Sequence, residues 1–251
     1  MKIKELEELI KNASFEEFEK IKNQYYDLNN KSLVKLFDRY EKKIKKELLL
    51  IEEYEKRTEY ERSLLEKGYK FIAGVDEVGR GPLAGPVYAA AVILDLKKPI
   101  YEIKDSKKLS HNKRKELSEK IKQNCIAYSI AYATEKEIDE LNILNATKLA
   151  MKRAIESLKI KPDYVLIDAV SLDIDIEYSS IIKGDDVSAS IGAASIIAKV
   201  ERDEFMDSIA KKYTLYGFEK NKGYGTKDHI EAIKLYGPCE IHRRSFLKNI
   251  L

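Results

Sequence analysis

The sequence is short of the residues that staple small proteins together and of the histidines that build most metal centres. It has only two cysteines, Cys125 and Cys239, in 251 residues. That excludes a disulfide framework and a cysteine-rich zinc cluster, and it makes a reducing cytoplasm the expected compartment. The histidines are His111, His229 and His242, too few and too scattered for a His cluster. No Ser/His/Asp or Cys/His nucleophile arrangement stands out. No apolar run reaches the roughly 20 residues that cross a bilayer. The opening residues, from Met1 to Glu7, are too acidic and too amphipathic for a signal peptide. Charge of one sign is also scarce. Lys and Arg number 46 against 43 Asp and Glu, a net +3 with a pI near 8.5, which by itself is weak support for a nucleic-acid partner. Residues 1–69 carry 16 of each sign, so the surplus lies in 70–251.

Residues 1–67 contain neither glycine nor proline. They are rich in Glu, Lys, Leu and Tyr, a composition that favours helix throughout. The pattern predicts a helix from Ile3 to Lys11 and a second one opened by the capping box Ser14/Glu17. Ser32 is expected to cap a long third helix, with Val34, Phe37, Ile44, Leu48 and Ile51 along one seam, and Gly68 ends the helical run. Residues 1–68 are therefore expected to form an all-helical N-terminal extension that packs on its neighbour or on a partner; a nucleic-acid or protein-docking role is the alternative. The Lys42-Lys43-Ile44-Lys45-Lys46 run reads as a solvated helix face.

From Tyr69 the pattern changes to strands and turns. Strands are expected at Tyr69–Asp76, Val87–Leu94, Ile100–Ile103, Ile126–Ala133, Tyr164–Ile167 and Tyr178–Ile182. Helices are expected over 112–123, over 144–158 and, after Ser188, to Lys211, with a second capping box at Thr134/Glu137. The long last helix opens on small residues (Ala189, Ser190, Gly192, Ala193, Ala194, Ser195) that let it lie close to a sheet. This order implies an α/β domain over 69–251, a mixed β-sheet flanked by helices with a C-terminal helical segment.

The chemistry gathers where strands end in acid. Phe71 to Asp76 is an apolar strand that delivers Asp76-Glu77 and then breaks into Gly79-Arg80-Gly81-Pro82. Two adjacent carboxylates repel unless a cation lies between them. Two further strands lead to Asp168 and to Asp185. In open α/β sheets the crevice at the strands' carboxyl ends is where ligands bind. Four carboxylates there could hold two divalent ions for in-line phosphoryl displacement, and all-oxygen ligands select Mg²⁺ or Mn²⁺. Taken singly, an Asp after a strand is as readily a helix cap or turn former; Asp186 and Asp203 are read as cap and surface residues. Successive strand residues face opposite sides, so Asp76 and Glu77 share one site if the strand stops between them. A dinucleotide-binding turn at Gly79-x-Gly81 is excluded by the acids beside it and by Pro82, which removes an N–H where a helix would donate. Lys107, Lys108, Lys183 and Lys199, with Arg243 and Arg244 further off, are candidate phosphate contacts, each equally readable as a solvated charge. Tyr224, between Gly223 and Gly225, can stack on a sugar or base, or can simply cover a loop.

Together these blocks resemble the bacterial ribonuclease HII family. They are Gly74-Val75-Asp76-Glu77 with Gly79-Arg80-Gly81-Pro82, Asp105-Ser106-Lys107-Lys108-Leu109, Ile167-Asp168-Ala169, Lys183-Gly184-Asp185, the run from Ala193 to Val200, Lys222-Gly223-Tyr224-Gly225-Thr226 and His242-Arg243-Arg244-Ser245-Phe246. They occur in the family's order over residues 70–250. The resemblance implies an RNase H-like fold and metal-dependent endonucleolytic cleavage of RNA in RNA–DNA hybrids, including at a single ribonucleotide within duplex DNA. It places the metal-holding acids on Asp76, Glu77, Asp168 and Asp185, the reading of the 2′-hydroxyl on the Gly79-Arg80-Gly81 backbone, and a junction-sensing ring on Tyr224. The two ions would be Mg²⁺ or Mn²⁺, the partner nucleic acid, and the chain a monomer without a membrane. The long front departs from the common pattern and raises the related ribonuclease HIII, which needs runs of ribonucleotides, as an alternative; a non-catalytic hybrid-binding module is another. Arg80 and the Tyr224 loop favour ribonuclease HII.

Overall fold

The computed structural model describes residues 3–27, 30–103 and 109–251. The chain divides into two compact units, residues 1–55 and 56–251. The first is helical: α1 (Ile3–Lys11), α2 (Phe15–Tyr25) and most of α3 (Lys31–Arg57). The expected capping box opens α2, with Ser14 accepting from Glu17 N–H and Glu17 returning to the Ser14 backbone. Leu6, Ile10, Phe18, Leu36 and Phe37 form its core. Two details differ from the sequence reading. The residue capping α3 is Asn30, whose Oδ1 accepts from the N–H groups of Ser32 and Leu33 at 3.1 and 3.3 Å; an Asn carbonyl reaches both donors, whereas Ser32 is already inside the helix. And Leu48, expected on the buried seam, is 48% exposed.

The second unit holds α4 (Glu59–Glu66) and a five-stranded sheet of β1 (Ile72–Val78), β2 (Val87–Ile93), β3 (Ala127–Ala133), β4 (Tyr164–Asp168) and β5 (Tyr178–Ile181) in the order β3-β2-β1-β4-β5. β1–β2 and β2–β3 are antiparallel; β1–β4 and β4–β5 are parallel. Helices α5 (His111–Asn124), α6 (Glu135–Leu141) and α7 (Ile143–Glu156) alternate with the strands, and α8 (Gly184–Val187), α9 (Ala189–Ala210), α10 (Phe218–Asn221) and α11 (Lys227–Tyr236) follow them. This is the expected mixed sheet flanked by helices, with a helical region ahead of the first strand.

Residues 100–103, expected as a strand, form a turn instead. Ile100 and Ile103 are buried, and burial of a short apolar run does not by itself distinguish a strand from a packed turn.

Strand alternation sorts the two faces. Ala73, Val75, Val87, Ala89, Ala91 and Ile93 join Ala146, Ala150, Met151 and Ala154 of α7 in the main core. The opposite face receives α9. Gly74 explains how closely: a Cβ there would lie 2.1 Å from the Ser190 carbonyl carbon and 2.3 Å from Ile191 N. Only a residue without a side chain lets the first turn of α9 touch β1 backbone to backbone. That contact sits two residues before Asp76.

Candidate active site

Asp76 and Glu77 come near the end of the central strand. β1 does not stop between them: it pairs with β2 through Glu77↔Ala89 and Val78↔Tyr88. The expected condition, a strand ending after Asp76, is therefore not how the two acids are arranged. They are linked instead by the Glu77 N–H, which donates to Asp76 Oδ1 at 2.7 Å. Asp76 is 5% exposed and receives a hydrogen bond from Ser195 of α9. Burial first, and the charge of Glu77 second, push its carboxyl well above the usual range, with Asp168 adding to the effect. Burial also raises Glu77; Arg80 opposes that shift and Asp168 reinforces it. Glu77 Oε1 is 3.5 Å from Arg80 Nη1, while its Oε2 is buried with no hydrogen-bond partner.

Asp168 closes β4, in parallel register beside β1, and accepts the Gly184 N–H at 2.6 Å. That bond ties the loop after β5 to the end of β4. Lys183 there adopts the left-handed conformation, φ 56°, and the next turn presents Asp185, which is 8% exposed. The charges of Asp76, Glu77 and Asp168 thus act on one another, and Asp185 lies one residue from the Asp168 anchor. Among the described residues no three His, Cys, Asp or Glu side chains already form a group that could hold a metal ion. The donor set still fits a hard divalent cation. It is all oxygen, mutually repelling, and contains a buried carboxylate oxygen with nothing to bond.

The glycine turn is built from outside. Gly79 has φ +95°. Arg202 and Arg243 are both 0% exposed, and they bind the carbonyls that such a turn leaves over. Arg243 donates to Gly79, Arg80 and Gly85 oxygens at 2.5, 2.9 and 2.9 Å. Arg202 donates to Ala84, Pro86 and Lys222 oxygens at 3.1, 3.0 and 2.9 Å. Burial and the neighbouring Arg202 lower Arg243 to about 9, so it stays charged at neutral pH. Arg243 is thus not a phosphate contact but a clamp on the turn.

The second glycine loop rests on the first. Leu83 N–H donates to Gly223 O at 2.8 Å, and a Cβ at Gly223 would lie 2.3 Å from Ala84 O. Tyr224, 42% exposed, places its ring edge 3.7 Å from where a Gly81 Cβ would be. Its carbonyl faces His229 Nδ1 at 2.8 Å, His229 Nε2 faces His242 Nε2 at 3.0 Å, and His242 Nδ1 accepts the Cys239 N–H at 2.9 Å. A carbonyl can only accept and a backbone N–H can only donate. Neutral rings therefore take one arrangement: His229 Nδ1–H donates to Tyr224, and His242 Nε2–H donates to His229.

Among the remaining candidates, Arg80, Gly81 and Lys183 are exposed beside the acids. Lys199 is engaged with Asp203 at 2.6 Å. Asp203, read from sequence as a surface residue, is 4% exposed; Arg114 also approaches it, at 3.8 Å, and together these cations compensate its burial. Lys107 and Lys108 lie outside the described residues. Sequence reasoning missed Ser195, Arg202, His229 and His242 as parts of this region. The available signal was the number of carbonyls that two glycine-rich turns must satisfy.

A protein-family model described as Ribonuclease HII matches residues 73–249. The chain belongs to the ribonuclease HII family. A ribonuclease HII of Caldicellulosiruptor bescii is 60% identical over 190 residues, covering 75% of this chain and 92% of the relative. One of Bacillus licheniformis is 50% identical over 247 residues, covering 97% and 95%, so that alignment takes in most of the helical front as well. Among solved structures, the ribonuclease H2 of Pyrococcus horikoshii OT3 superposes with a TM-score of 0.60 at 31% identity, covering 70% of this chain and 93% of that one. As a member of the ribonuclease HII family the chain is a ribonuclease H, a hydrolase of the nuclease class. Among the described residues no helix is long and apolar enough to cross a membrane.

Proposed function

We propose that this ribonuclease cleaves the RNA strand of RNA–DNA hybrids and cuts 5′ of a single ribonucleotide embedded in duplex DNA, leaving 3′-hydroxyl and 5′-phosphate ends. The observation that carries this reading is the placement of Tyr224 over Gly81, with Glu77 and Arg80 paired at the same turn. A ribose entering there meets backbone that glycine leaves accessible. The 2′-hydroxyl is the group that separates RNA from DNA at one sugar. The next sugar meets the Tyr224 ring, which accepts a deoxyribose and leaves little room for an added hydroxyl. Clamping by Arg243 fixes this backbone before substrate arrives, so less ordering is left for binding.

Asp76, Glu77, Asp168 and Asp185 would hold two divalent ions, Mg²⁺ or Mn²⁺. When bound, such ions supply an activated water and stabilise the attacking and leaving oxygens of an in-line displacement. Ser195 keeps Asp76 oriented. Arg80 keeps Glu77 turned toward the mouth of the site. Lys183, at the exposed rim, is placed to meet phosphate. Removal of ribonucleotides from DNA is the cellular task this activity serves.

The test is an end-labelled duplex with one ribonucleotide, incubated with Mg²⁺ or with EDTA. One cut 5′ of the ribonucleotide, seen with metal alone, is expected. Cutting confined to duplexes with four or more ribonucleotides would move the enzyme to a ribonuclease HIII-like specificity.

A further inference from the structure

The 56–251 unit starts well before its first strand, and two residues at its start reach the back of the acid site. Arg57, the last residue of α3, donates from Nη2 to the carbonyl oxygen of Asp185. It fits because position 192 is glycine: a Cβ there would lie 2.6 Å from the same guanidinium nitrogen and 3.2 Å from Asp185 O. One turn on, Glu61 of α4 is 3% exposed. Its Oε1 accepts from Ser188 Oγ at 2.7 Å, Ser190 N–H at 2.9 Å and Ser190 Oγ at 2.5 Å. Ser188 is itself the N-cap of α9, accepting from Ile191 N–H. A carboxylate at this point is favoured by the positive end of a 22-residue helix. It also fixes the helix turn that Gly74 lets press on β1.

The short segment between Asp185 and Ser190 is thus gripped at both ends from α3 and α4. Asp185 has its backbone carbonyl bound by Arg57. The helix that brings Ser195 to Asp76 has its first turn bound by Glu61. Arg57 binds this segment at a backbone carbonyl and Glu61 binds it at two serines, contacts that orient the chain rather than carry out chemistry. We infer that Arg57 and Glu61 are positioning residues for the metal-holding acids, so that the end of the helical front belongs to the catalytic machinery. This inference rests on the reading of Asp185 as a metal-holding acid. Partners that orient such ligands from behind typically change metal affinity by about 10- to 100-fold when removed.

The experiment is Mn²⁺ titration of the full chain by calorimetry, well below the melting temperature, for wild type, Arg57→Ala, Arg57→Lys, Asp185→Asn and the double variant Arg57→Ala/Asp185→Asn. Arg57→Ala is expected to weaken Mn²⁺ binding by about ten-fold, and Arg57→Lys, which keeps a donor, to recover part of it. The double variant is expected to bind no worse than Asp185→Asn alone, since coupled residues do not add. Where Arg57→Ala does not fold, Arg57→Gln takes its place with the same expected loss. Unchanged Mn²⁺ affinity in the folded Arg57 variants, with Asp185→Asn weakened, overturns the positioning role and leaves the metal reading standing. Unchanged affinity in Asp185→Asn itself overturns the metal reading on which the inference rests.

Discussion

Tyr224 and Gly81 face each other across two glycine loops separated by more than 140 residues, with the tyrosine Cε1 3.7 Å from the place a Gly81 Cβ would occupy. That distance is ordinary van der Waals contact, and Gly81 does not have a positive φ. Gly81→Ala should therefore fold normally, with a melting temperature close to wild type. If the turn's backbone reads the ribose, the same methyl group stands in the way of the sugar, and cleavage at a single ribonucleotide should fall by about ten-fold or more, a loss of 1.4 kcal/mol or greater in transition-state stabilisation. Tyr224→Ala should hurt single-ribonucleotide cleavage more than cleavage of long hybrids. Equal losses on the two substrates would count against a junction role.

Asp76→Asn should abolish cleavage while largely sparing hybrid binding. The wild-type carboxylate is buried beside Glu77 and Asp168, so in metal-free buffer the neutral amide relieves repulsion and the variant should melt no lower than wild type. Gel-shift affinity and metal-free melting measured together check this. Binding lost in step with activity would sink the metal-holding assignment.

The His229–His242 relay predicts a pH dependence of stability. Burial and the neighbouring His229 lower His242 from 6.5 to about 4, and burial lowers His229. The folded protein keeps both rings neutral while the unfolded chain protonates them. Stability from this pair is therefore full above about pH 6.5 and falls as the pH drops toward 4, by on the order of 3 kcal/mol for His242. Urea midpoints between pH 7 and 4.5 measure it. His242→Gln, which cannot titrate, should flatten the slope; an unchanged slope would show that other groups cause it.

Arg243→Met should lower stability by about 3 kcal/mol, since three carbonyl oxygens lose their donor. The salt dependence of hybrid binding should keep its slope, because a buried clamp neutralises no phosphate. A reduced slope with unchanged stability would return Arg243 to the phosphate contacts.

What the sequence disclosed is what local chemistry writes. Ser14/Glu17 and Thr134/Glu137 are capping boxes because each pair is three residues apart, and both form. The small residues opening α9 announce its close contact with a sheet. Asp76, Glu77, Asp168 and Asp185 stood out because acids at the ends of apolar strands are costly without a purpose, and in the folded chain the charges of the first three act on one another. Long-range pairing was not legible. Nothing near Arg243 shows that it belongs to carbonyls 158 to 164 residues away. Asp203 looks like any helix-surface acid until Lys199 and Arg114 are seen around it. Arg57 and Glu61 sit in a charged helical stretch whose composition matches a solvated face.

The clamp on the glycine turn also bears on how the enzyme comes into being on the ribosome. Gly79 is synthesised 164 residues ahead of its clamp. At about 5–20 residues per second, that interval is on the order of ten to thirty seconds. Throughout it, the nascent chain carries the first two acids beside a turn that has nothing to hold its carbonyls. A nuclease assembled in this order has no finished turn beside its first two acids until Arg243 has emerged and folded back onto it.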